Sequence, residues 1–365
     1  MYPFLRVTLV FVCIFLGCSE KLCASEARRM YEQAVDVHPA KISTVVKATL
    51  SSYEIAGFGE GRSVSYMVAG EGPDRWTIYP FKGATGHLLR EDAHVMGSLA
   101  YNAHFGTVIS YRGSHCFSDF FTDIDAKLVP AAKFGYGGTP GKIHRGFAKA
   151  AASTRPHFAK ALNSLMKDYR EASTNDFYVC GHSLAGALAK LSAIELKQSG
   201  IIDFQPNQLK TLTFACPQLG DKAFVEHIEG HTLLKANVLN FYAVNDPIPG
   251  MPSGLLGYKM GIGYNIPIPT SAIEVDILSL GFQKVFHSCC WRRAEGARDA
   301  WRFFRGTPLS VLMWCHSVHE KSALRAYKHF QVKLRSGSLC MDDLPSVISA
   351  PSNSLFTQIY KFLFS

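Results

Sequence analysis

The chain has 365 residues, 47% of them hydrophobic and 18% charged, with a formal net charge of +9. That apolar share is enough for a sizeable core and excludes a disordered chain. Lysine and arginine are scattered, with the richest cluster at 291–302; this excludes the basic stripe of a nucleic-acid module and suits a solvated surface or attraction to anionic lipid.

From the N-terminus, Met1 to Arg6 is short and carries one positive charge, and Val7 to Cys18 is an apolar run too short to span a bilayer. Small residues at Cys23-Ala-Ser25 follow a polar stretch, so residues 1–25 read as a cleaved signal peptide. The chain is then expected in a secreted or endomembrane-lumen compartment, with residues 26–365 as one domain. No later stretch reaches about 18 uninterrupted apolar residues. Ten cysteines are present, and losing Cys13, Cys18 and Cys23 with the signal leaves an odd seven. Cys180 and Cys216 lie in apolar runs and read as buried small residues. Cys116, Cys289, Cys290, Cys315 and Cys340 are free to form disulfides whose pairing spacing does not decide. No zinc-type cysteine spacing occurs, so neither metal nor cofactor is expected.

Residues 26–52 read as helical, followed by strands at 76–81, 98–102 and 107–111 and a Gly/Pro-rich loop at 127–142. Phe158, Leu162, Leu165, Met166 and Tyr169 recur at helical spacing, with Pro156 suited to a first turn. A strand at 176–180, a helix at 185–198, a strand at 209–215, a helix at 222–229 and a strand at 238–244 then alternate. That order predicts an α/β fold with a mostly parallel central sheet and helices on both faces. The last predicted helix covers 318–330.

Ser183 stands where the strand ending at Cys180 meets the next helix, in Cys180-Gly-His-Ser-Leu-Ala-Gly186. A serine hydroxyl is a poor nucleophile without a neighbouring base, and a sharp strand-to-helix turn lifts it clear of the sheet when its neighbours are small. Gly181 supplies the small residue at −2, and Ala185 takes the place of the usual glycine at +2. The competing reading of the same residues is a helix whose N-cap is Ser183.

Four further segments accompany the elbow in order: Val108-Ile-Ser-Tyr-Arg-Gly-Ser114, His144-Arg-Gly-Phe147, Thr213-Phe-Ala-Cys-Pro217 with Gly220-Asp221, and Asn245-Asp-Pro-Ile-Pro249. With Gly181-His-Ser-Leu184 they resemble the class 3 lipases, the fungal triacylglycerol lipase family of the α/β-hydrolase superfamily, over about 98–330. The resemblance implies Ser183 as nucleophile, Asp246 as triad acid, and backbone N–H groups of Ser114 and Leu184 as the oxyanion hole. The implied base lies ahead of the final helix, followed by Ser and by a Tyr further on. His316-Ser317 before Tyr327 fits best, with His319 and His287 as alternatives. The order Ser, Asp, His is that of α/β-hydrolases.

His144, His182, Asp119 and Asp123 are expected to be structural. A lid is implied either at Phe117, Phe120 and Phe121 or at 251–264. The expected activity is release of fatty acid from acylglycerols at a membrane or emulsion interface. Phospholipase A1 or galactolipase action is the second reading, and a lipid-binding protein without turnover is the third.

Overall fold

The structure is a computed structural model, which describes residues 37–58, 67–84, 94–113, 125–230, most of 234–268, 323–328 and 332. The main sheet has eight strands: β1 (Met67–Ala69), β2 (Trp76–Gly83), β3 (His94–Asn102), β4 (Gly106–Tyr111), β7 (Phe177–His182), β8 (Leu209–Phe214), β10 (Val238–Ala243) and β12 (Tyr264–Ile268), hydrogen-bonded in that order. The first three pairings are antiparallel and the last four, from β4 to β12, are parallel. The central sheet is therefore mostly parallel, and the antiparallel hairpins at one edge are the part that alternation with helices could not foretell.

A second, four-stranded antiparallel sheet joins β5 (Leu128–Pro130), β6 (Lys142–His144), β9 (Gly220–Asp221) and β11 (Tyr258–Lys259). The helices are α1 (Pro39–Phe58), α2 (Arg145–Asp168), α3 (Leu184–Ser199), α4 (Lys222–Gly230) and α5 (323–328).

Strands β4, β7 and β8 are buried at every position, as parallel strands covered on both faces must be. The two-residue period of a strand divides their side chains between two cores. Ile109, Phe177 and Val179 join Phe147, Leu162, Leu165, Leu188 and Leu191 of α2 and α3 in one core. Val108, Tyr178, Cys180, Leu212 and Phe214 join Ile42, Val45 and Val46 of α1 and Tyr327 of α5 in the other. The Tyr327 hydroxyl accepts a 2.8 Å bond from the backbone N–H of Val37, tying the start of α1 to α5.

Helix α1 runs to Phe58, six residues past the expected end at 52, and two further elements differ from expectation. Helix α2 begins at Arg145, eleven residues before Pro156, which sits inside the helix. Proline is disfavoured there because it lacks an N–H and crowds the preceding turn, so a helix start was read in its place. The real start is capped by His144, whose Nδ1 accepts from the N–H of Phe147 at 3.3 Å. The stretch at 127–142, read as loop, contains β5 and the first residue of β6, strands too short to show periodicity. The N-terminal segment at 1–36, including the expected signal peptide, lies outside the described residues.

Candidate active site

The site is built on the carboxyl ends of adjacent parallel strands, where ligands of open α/β sheets gather. Ser183 follows β7 and precedes α3 with φ 59° and ψ −129°. A non-glycine residue in that region carries about 1–3 kcal/mol of strain. The turn is held from both sides: Ser183 N–H donates to the carbonyl of Phe214 at 2.9 Å, and Gly186 N–H donates to the carbonyl of Ser183 at 2.8 Å.

Glycine is required at 181 because a Cβ there would fall 2.2 Å from the carbonyl oxygen of Ala185. It is required at 186 because a Cβ would meet Cβ of Cys216 at 2.8 Å. Ala185 itself is fully buried, so its methyl is accommodated where the pattern usually has glycine. The Ser183 side chain makes no capping bond to α3. That outcome removes the N-cap reading. The residues on either side, His182 and Leu184, are buried, while Ser183 is partly exposed. Leu184 is the first residue of α3, so its N–H belongs to the turn whose amides lack intrahelical acceptors.

Asp246 lies three residues beyond β10 and is 1% exposed. Its N–H donates to Ala243 O at 2.9 Å, and its carboxylate Oδ1 accepts from Ile248 N–H at 3.0 Å. Strand β8 separates β7 from β10, so Ser183 and Asp246 emerge at the same sheet end, two strand spacings or about 10 Å apart. Strand β4 pairs in parallel with β7, Ser110 opposite Cys180. Buried Arg112 and Gly113 therefore leave the sheet beside the elbow. Ser114, the next residue, lies outside the described residues, as do His287, His316, His319, Asp119, Asp123, Phe117, Phe120 and Phe121.

The remaining candidates have defined places. His144 is fully buried, stacked on Phe147 with ring centroids 3.8 Å apart, and caps α2. The second lid candidate, 251–264, is largely tied down. Tyr258 pairs with Asp221 in the small sheet and donates its hydroxyl to Ala126 O at 2.6 Å, and Ile262 N–H donates to Glu229 Oε1 at 2.9 Å. Burial pushes the Cys180 thiol up to about 12 and raises that of Cys216; both are free thiols in the core. The other cysteines lie outside the described residues.

Sequence reading overlooked a buried polar cluster that links β8, β10 and β12. Thr213 donates to Asn240 Oδ1 at 2.7 Å, and Asn240 Nδ2 reaches Ile262 O at 3.1 Å and Asn265 Oδ1 at 3.2 Å. A clue was available in Lys190, the lone charge in the otherwise small and apolar run from Leu184 to Ile194. Asp125 was also overlooked. Both of its oxygens accept from Arg145 Nε, at 2.6 and 2.8 Å, which anchors the start of α2.

A strained serine between a buried parallel strand and a helix, with a buried carboxylate two strands away at the same sheet end, defines an α/β-hydrolase domain. Residues 108–255 match the family described as Lipase (class 3). The chain is similar to phospholipase A1-II 4 of Oryza sativa subsp. japonica, with 27% identity over 275 residues, 68% of this chain and 65% of that protein. It is also similar to toxin TseL of Vibrio cholerae, with 32% identity over 148 residues, 40% of this chain and 20% of the toxin. The chain thus spans under two thirds of the length of either relative. Among solved structures, the lipase from Rhizopus microsporus var. chinensis aligns with a TM-score of 0.48 and 21% identity, covering 64% of this chain and 76% of that one.

Proposed function

We propose that this protein is a serine carboxylester hydrolase acting on lipid esters, with Ser183 as nucleophile, Asp246 as the orienting acid and His316 as the base. The observation that carries the reading is the strained φ of Ser183, retained although its side chain does not cap the helix. Strain of this kind persists where the surroundings over-determine it, and it concentrates at working sites.

His316 takes the Ser183 proton as the hydroxyl attacks the ester carbonyl, and Asp246 keeps the ring in the correct tautomer and stabilises the imidazolium. The N–H groups of Ser114 and Leu184 face the oxygen as it gains charge, each donor contributing about 3–4 kcal/mol. Collapse expels the alcohol with the proton from His316. Water then attacks the acyl-enzyme by the same route and releases the fatty acid. None of these steps requires a metal or cofactor.

Acylglycerols are the substrates we assign first. Glycerophospholipids form a second reading, favoured by similarity to a protein named phospholipase A1 over 68% of the chain and by the net charge of +9, which draws a protein to anionic surfaces. The apolar N-terminal run supports secretion or delivery to an endomembrane lumen. Fatty-acid release from emulsified triglyceride and from phosphatidylcholine vesicles, measured side by side, tests the assignment. Faster release from triglyceride agrees with the first reading and faster release from vesicles with the second; no release from either by folded protein contradicts both. In the same assay, His316→Ala falls to the level of Ser183→Ala while His287→Ala and His319→Ala retain activity. Full activity in His316→Ala removes the assignment of the base.

A further inference from the structure

Lys190 lies two turns into α3 and is 5% exposed. It lines a small cavity of about 20 Å³ together with Cys216, Gln218, Asn240, Pro249 and Asn265, room for about one water molecule. Among the described residues Lys190 has no carboxylate partner; its neighbour is the Cys216 thiol, which burial pushes up and the lysine pulls back. Gln218 brings a second unmatched group to the same cavity: its Oε1 is buried without a hydrogen-bond partner in the structure. A buried acceptor left unmade costs about 1–3 kcal/mol, and an ammonium is the strongest donor that could meet it through a single water.

The rest of Gln218 holds the acid turn. Its N–H donates to Met251 O at 2.7 Å, and its Nε2 donates to Gly250 O at 3.2 Å. Residues 248–250 form one helical turn, and the N–H of Ile248 at its start is the donor to Asp246 Oδ1. The series runs from Lys190 through the cavity to Gln218, then to the turn, then to the carboxylate. An amide side chain can face either way round, and a donor at the cavity selects the orientation in which Nε2 reaches Gly250.

We infer that Lys190 and Gln218 are positioning residues for Asp246, an ammonium and an amide oxygen joined by one bridging water that locks the 248–251 turn under the acid. The inference rests on the proposed role of Asp246. A misplacement of about 1 Å at a catalytic group lowers turnover by up to about a hundredfold, so partial loosening of the turn is expected to appear in kcat while KM stays put.

The test compares Lys190→Met, Gln218→Met, their double variant, Lys190→Gln, Ser183→Ala and Asp246→Asn in the full chain, using a soluble short-chain ester. Replacing a buried charge by an apolar group of similar volume is often neutral or stabilising. Lys190→Met is therefore expected to melt no lower than wild type, yet to lose about tenfold in kcat with KM unchanged. Gln218→Met loses a similar factor, the double variant is no worse than the poorer single one, and Lys190→Gln, which keeps an N–H donor, recovers most of the loss. Unchanged kcat in both singles overturns the inference, as does a kcat loss that tracks a fall in melting temperature, or two losses that multiply in the double. Retained activity in Ser183→Ala and Asp246→Asn would instead show that the triad reading itself has failed.

Discussion

The backbone amide of Ser183 donates to the carbonyl of Phe214 at 2.9 Å, which pins the nucleophile turn on β7 to the end of the neighbouring strand β8. That bond fixes the serine between two strands, while Gly186 N–H holds its carbonyl from the helix side. The φ of 59° is thus imposed from both directions.

This strain makes a prediction about stability. Glycine adopts positive φ without penalty, whereas alanine keeps the strain that serine bears. Ser183→Gly and Ser183→Ala are both expected to be inactive, with the glycine variant the more stable by about 1 kcal/mol. The usual order in regular structure is the reverse. Thermal unfolding of the pair decides it, and a higher melting temperature for the alanine variant contradicts the account of the elbow.

Gly181→Ala attacks the same turn from the other side. Its new methyl would sit 2.2 Å from the carbonyl oxygen of Ala185, a backbone atom that cannot swing aside. Overpacking of this kind destabilises by about 3 kcal/mol, and esterase activity should vanish with it. Urea unfolding and ester hydrolysis on one preparation check both outcomes.

Asp246→Asn leaves an amide oxygen able to accept from Ile248 N–H, so the local fold should hold. The loss falls on the base, whose tautomer the carboxylate no longer selects, and turnover should fall by about 10⁴-fold. A melting temperature near that of wild type together with this loss separates a catalytic from a structural role.

Asp125 gives a pH dependence. Burial acts to raise its carboxyl, but bonding to Arg145, with Lys149 nearby, holds it below the ordinary carboxylate range. A carboxyl depressed in the folded state contributes stability that is present above its unfolded pKa and lost as pH falls through the folded value. Stability should therefore decline below about pH 4, and Asp125→Asn should flatten that decline while lowering the urea midpoint at pH 7. Superimposable acid limbs for the two proteins contradict this role.

Much of the fold could be read from residues alone, for physical reasons. Strands β7, β8 and β10 are apolar runs bounded by turn residues and separated by helices, and they fall close to where the sequence pattern places them. Strands β5 and β6 gave no such signal because three residues are too few for a period, and Pro156 hid the first half of α2. Around the candidate site, the strand ends that Ser183 and Asp246 follow were legible as apolar runs closed by turn residues. The base was not, since several His residues precede the last helix and only the chain's return path chooses among them. Gln218 escaped notice because burial, rather than residue type, makes it informative.

The central claim is that Ser183 is an activated nucleophile, and a fluorophosphonate probe followed by peptide mapping tests it most directly. The account predicts one covalent adduct, on the peptide containing Ser183, absent from Ser183→Ala. Folded protein that takes up no probe, or carries the adduct on another residue, would contradict it.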